Sequence, residues 1–245
     1  ADITIDVANN KTLTYSGAAI SLGANTITLS GGGSLVSGGL TLNDADSKLL
    51  LNSITLDSVS ISADSLGLDV DNNSTITALS VGHITPVSIA AGKNLSGAVT
   101  VTAGSLKLNE TGTLASTIAM SGGTLDADET SIVSGTLTQS GDIAIDIATG
   151  KTLTYSGAAI SLGAKTMTLS GGGSLVSGGL ALNNADSKLL LNSITLDSVS
   201  TSTDSLGLDV DADSTVTSLS VANITPVSIA AGKSLSGAIT VTAGS

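Results

Sequence analysis

Residues 26–42 read Thr26-Ile27-Thr28-Leu29-Ser30-Gly31-Gly32-Gly33-Ser34-Leu35-Val36-Ser37-Gly38-Gly39-Leu40-Thr41-Leu42. Polar and apolar residues alternate over Thr26–Ser30, which puts Ile27 and Leu29 on one side of an extended strand. The glycines at 31–33 and 38–39 supply turns, and a new short alternation starts after each. Very short strands separated by small-residue turns are predicted here, with no helical period.

The same phrase returns along the chain. It appears as Thr12-Leu13-Thr14-Tyr15-Ser16-Gly17, as Thr117-Ile118-Ala119-Met120-Ser121-Gly122 and as Thr136-Leu137-Thr138-Gln139-Ser140-Gly141, and again from Thr152 and Thr166. A longer period encloses it. Residues 1–105 align without gaps to residues 141–245, with 86 of 105 positions identical. The chain therefore divides into a first unit, 1–140, and a second, truncated unit, 141–245. One continuous repeat array is expected rather than separate domains, and we expect the period to continue in a longer parent chain.

Differences between the two copies separate core from turn. Val7/Ile147, Ile27/Met167, Ile76/Val216 and Val99/Ile239 exchange one aliphatic side chain for another of similar volume, as buried sites tolerate. Asn9-Asn10 against Thr149-Gly150, Asp44 against Asn184, and Asn72-Asn73 against Ala212-Asp213 exchange turn formers. Pro86 and Pro226, the only prolines, predict a local interruption of pairing or a turn.

Composition narrows the architecture. The chain has no Cys, Trp or Phe, and Tyr15 and Tyr155 are its only aromatic residues. Gly, Ser and Thr supply 100 of 245 residues. Without aromatic side chains a thick globular core is hard to fill, so a thin core of Val, Ile and Leu between stacked strands is expected. The predicted fold is all-β: a right-handed parallel β-helix, or β-solenoid, of roughly 12 coils of about 20 residues. Tandem β-sandwich domains are the alternative; a 140-residue period suits them less well.

Charge excludes some partners. The net charge is −12, and all eight cations are lysines, so nucleic acid is not expected to bind. No apolar run is long enough for a membrane helix, and no membrane insertion is expected in this segment.

The runs Ser30–Leu42 and Met120-Ser121-Gly122-Gly123-Thr124-Leu125-Asp126 resemble the passenger repeats of large bacterial surface proteins, among them autotransporter and filamentous-haemagglutinin-like adhesins. The likeness spans the chain as a style of repeat and carries over no site motif. It implies a parallel β-helix, export to the cell surface or extracellular space, and a role in adhesion or surface structure.

Candidate chemistry is sparse. A hydrolytic triad needs a His; His83 is the only one, and its counterpart is Asn223. Closely spaced carboxylates are more suggestive: Asp44 with Asp46, Asp69 with Asp71, Asp126 with Asp128, and Asp209, Asp211 and Asp213. Hard oxygen ligands in turns suit Ca²⁺, and neighbouring coils could share an ion; solvated turn aspartates are the plainer reading. The same pairs could cleave glycosides, but sugar recognition without aromatic platforms is not expected. The leading expectation is a non-catalytic structural rod or filament. Its partners would be neighbouring repeats of the same parent chain, or identical subunits end to end. An adhesin module for cell-surface glycans is the first alternative, and a polysaccharide-degrading enzyme the second.

Overall fold

The computed structural model describes residues 1–242. Among them there are strands and turns and no helix. The chain winds as a parallel β-helix, and every pairing between strands is parallel. Parallel ladders throughout set aside the sandwich alternative, which requires antiparallel sheets.

One face is a ladder of twelve strands in unbroken chain order. Each opens a coil. Coils one to six open at Ile3–Asp6, Thr26–Ser30, Lys48–Asn52, Gly67–Asn72, Thr85–Ile89 and Ser105–Leu108. Coils seven to twelve open at Thr124–Ala127, Ile143–Ile147, Thr166–Ser170, Lys188–Leu191, Gly207–Val210 and Val227–Ile229. The pairing of Thr124–Ala127 with Ala144–Ile147 carries the ladder straight through the junction of the two sequence units. Twelve rungs at about 4.8 Å make a rod ~58 Å long.

The rest of each coil forms the second face. In coil six it is one strand, Thr113–Met120; in coil one it is split into Thr12–Thr14 and Ile20–Ser21. Coils one, two, seven, eight and nine are all split at a glycine, which marks where the chain bends. The long period thus equals seven coils: coil one is the sequence counterpart of coil eight, and coil five of coil twelve.

The core lies between the faces and runs along the axis. Ile27, Leu49, Leu68, Val87 and Leu108 stack as register partners on the first face, and Leu35, Leu56 and Ile76 on the second; all are buried. Each such side chain contributes about 1.5–3 kcal/mol by leaving water. The aliphatic exchanges between copies fall in this core: Val7 and Ile147, Ile27 and Met167, and Ile76 and Val216 are all buried. Val99 is buried while Ile239, in the last coil, is exposed.

The polar exchanges fall in turns. Asn10 and Gly150 both sit at positive φ, 61° and 75°, where Gly and Asn are the tolerated residues. Asp44 and Asn184 each accept the backbone N–H two residues on, from Asp46 and Asp186. The prolines interrupt pairing on one side: Pro226 precedes the strand Val227–Ile229, and the ladder from Gly67–Asn72 to Thr85–Ile89 starts only at Val87. Pro86 lies within Thr85–Ile89 and stays in register with Lys107. Its missing N–H is tolerated, and its carbonyl crowds Gly67, where an added Cβ would lie 1.9 Å from the Pro86 oxygen.

The register also drifts. Followed rung by rung, Ile3 pairs through Ile27, Leu49, Leu68, Val87, Leu108 and Ala127 to Ile147. Its sequence counterpart is Ile143, four residues earlier. Four is even, so inward residues stay inward through the drift.

Candidate functional site

The outward positions of the first face bring together a column of charges. Lys107, Asp126 and Asp146 are successive register partners in coils six, seven and eight. Lys107 Nζ lies 3.2 Å from Asp126 Oδ2 and 3.0 Å from Asp128 Oδ2, so one ammonium bridges the two carboxylates. Burial pushes the Asp126 carboxyl above its ordinary range; the Lys107 hydrogen bond opposes this, and the charge of Asp128 adds to it. The hydrogen bond to Asp128 holds the Lys107 ammonium above its usual value against the effect of burial. Asp126 Oδ1 is buried without a hydrogen-bond partner among the described residues.

The same device recurs in simpler form. Lys48 pairs with Asp69 at 2.6 Å, and in the second copy Lys188 with Asp209 at 2.7 Å. Each joins consecutive coils. Lys151 reaches back to Glu129 at 2.6 Å. Of the candidate calcium ligands, Asp69, Asp126, Asp128 and Asp209 therefore face a lysine ammonium. Asp44 shapes its own turn with Asp46, and Asp213 accepts the backbone N–H and hydroxyl of Ser234. Asp71, next to last in Gly67–Asn72, and Asp211, just past Gly207–Val210, are exposed. Among the described residues no group of three or more His, Cys, Asp or Glu converges as a metal site. The structure brings carboxylates into cross-coil pairs with lysine and does not gather them around a point.

Two carboxylates were not singled out from sequence. Asp57 accepts the backbone N–H groups of Ser37 and Gly38, one coil earlier, at 2.9 Å each, and also that of Ser58. Burial acts to raise its pKa, but the N–H groups of Ser37, Ser58 and Gly38 together bring it below the ordinary value. Asp197 repeats the arrangement with Ser177 and Ser198. The available signal was local: an Asp in the middle of the alternating run Ile54–Ile61, where aspartate is disfavoured unless bonded. Asp2, Asp64, Asp142 and Asp204 likewise accept a backbone N–H from the following coil, those of Thr26, Ile84, Thr166 and Ile224.

His83 is exposed, with Asp64 3.7 Å from its Nδ1. The bridged carboxylates of Asp126 and Asp128 share the Lys107 ammonium. Tyr155, at the end of the strand Thr152–Tyr155, is buried, while Tyr15 is exposed. No helix is long and apolar enough to cross a membrane among the described residues.

An apolar cavity of about 290 Å³ opens at the last coil, lined by Leu219, Val227, Ile229, Leu235, Ile239 and Val241 among others. In comparisons with protein families, curated proteins and solved structures, no family model, protein or structure matched this chain.

Proposed function

We propose that this chain is a non-catalytic structural segment, a stiff rod that spaces or carries other parts of a secreted or cell-surface protein. The observation that supports it best is the first-face ladder, which continues without a break across the junction of the two sequence units. Each coil is bonded to the next through backbone ladders and aliphatic contact, and some by lysine–carboxylate pairs as well, so the rod lengthens without a larger core. The acidic surface favours solubility and opposes sideways association. The extracellular setting rests on the resemblance of the glycine-serine repeats to bacterial surface proteins, and adhesion to glycans is the alternative reading.

Negative-stain images of the purified chain test the rod, with short rods of uniform width about 58 Å long expected and globules overturning it. A glycan array and a polysaccharide-degradation screen test the role. Saturable glycan binding lost on changing Asp126 and Asp128 would make it an adhesin. Turnover lost with the same changes would make it an enzyme.

A further inference from the structure

The second face is broken at one corner. On that face a register column runs from Ile20 through Val59 and Val99 to Leu137, one residue per coil. It resumes at Ile160 and runs through Val199 to Ile239. Between coils seven and eight, Leu137–Gln139 and Ile160–Ser161 form no ladder, the only such step in this column among the described residues. The rest of the same two coils is tied. The first-face ladder joins Thr124–Ala127 to Ala144–Ile147, Lys151 reaches Glu129, and Ser131–Val133 pairs with Leu153–Tyr155.

Two side chains stand where the ladder is missing. Tyr155 is buried, and its phenol oxygen accepts the Leu137 N–H at 2.9 Å, as a carbonyl of coil eight would in a paired corner. From coil seven, Gln139 Nε2 donates to the Leu162 carbonyl at 2.8 Å. Gln139 Oε1 is buried with no partner among the described residues. A cavity of about 350 Å³ lies at the gap, lined by Leu137, Gln139, Tyr155, Ala159 and Ser161 among others. Gly157 seats the phenol: a Cβ there would lie 2.3 Å from the Tyr155 oxygen and 2.7 Å from the Gly135 carbonyl oxygen.

We propose that this corner is a latched hinge in the rod. Leu137–Gln139 separates locally from Ile160–Ser161 while the first-face ladder holds as the spine, and the Tyr155 phenol and Gln139 amide are the latch. A laddered corner is closed by backbone groups fixed in their strands. This one is closed by two side-chain rotamers, beside a cavity and an unpaired acceptor that entering water can satisfy. The proposal rests on the rod reading, and it adds that the rod yields at one step and on one face.

Hydrogen exchange of the whole chain, read residue by residue by NMR, tests it. Ile118 is the internal reference, because its N–H donates to the Thr136 carbonyl at 2.7 Å across the laddered step from coil six to coil seven. The Leu137 amide is expected to exchange about tenfold or more faster than that of Ile118. Tyr155→Phe and Gln139→Leu each remove one half of the latch. Each is expected to speed exchange at Leu137 and Gln139 by about tenfold more than at Thr124–Ala127 on the spine. Gly157→Ala crowds the phenol without deleting it and is expected to act in the same direction, which keeps the test open if Tyr155→Phe does not fold.

A Leu137 amide as slow as that of Ile118 overturns the hinge. Acceleration in the variants no greater at the corner than on the spine overturns it too, since the coils then open as a whole. Globular particles in the images would end the rod reading without moving these rates, whereas a protected corner would end the hinge and leave the rod intact.

Discussion

The backbone N–H of Leu137 donates to the phenol oxygen of Tyr155 at 2.9 Å, one coil apart. Coil seven thereby buries a tyrosine that is 5% exposed, while its counterpart Tyr15, in the first coil, is 47% exposed. Identical local sequence thus gives two environments, set by the preceding rung, which for Tyr155 is coil seven. Tyr155→Phe strands a buried donor and is expected to cost about 1–3 kcal/mol. Tyr15→Phe is expected to fall within about 0.5 kcal/mol of the parent. Denaturant melts of the two variants check this, and equal losses would refute it.

Core burial makes a second contrast. Leu106 is fully buried between coils five and seven, and Leu106→Ala should cost about 2–5 kcal/mol. Val241→Ala, on the open face, should cost less than about 0.5 kcal/mol. Thermal melting distinguishes them.

Asp57 should set part of the acid limit. Its pKa is lowered in the fold, so its contribution is present above the ordinary carboxylate value of 3.8. That contribution is lost as pH falls through the lower folded value. Asp57→Ala removes the acceptor for Ser37 and Gly38 and is expected to destabilise at neutral pH by about 1–3 kcal/mol. The difference from the parent should shrink below pH 3.8, as followed by circular dichroism.

Asp126 works with the opposite sign. Its pKa is raised, so the ionised form carries a cost above the folded value, and acidification toward 3.8 relieves it. Lys107→Met removes the cation shared with Asp128. Melting temperature at neutral pH is expected to fall, and to recover partly on mild acidification or with millimolar Ca²⁺, which suits the uncovered carboxylates. A variant indifferent to both would show that the lysine bridge contributes nothing to the charge balance there.

Fold class was legible because the chain contains its own substitution series. In the sequence Ile27/Met167 marked a buried position and Asn10/Gly150 a turn; the positive φ angles add that the turn is left-handed. Strand parity did the rest, since Ile27 and Leu29 had to share one side. Cross-coil chemistry was less legible. Partners on adjacent rungs lie 24 residues apart for Ile3 and Ile27 but 19 for Leu49 and Leu68, because turns absorb different lengths. No fixed offset could therefore place Lys107 beside Asp126 or Asp57 beneath Ser37. Pro86 was legible only in part: it breaks the ladder on the Gly67 side, as expected, yet stays paired with Lys107 on the other.

The four-residue drift between Ile147 and Ile143 has a mechanical consequence. Four residues of strand span about 13 Å. The line of hydrogen bonds and the line of equivalent residues diverge, so they cannot both run parallel to the axis, and at least one winds around it. Like a laid rope, such a body couples stretch to torsion: a pull on one end reaches the other partly as torque.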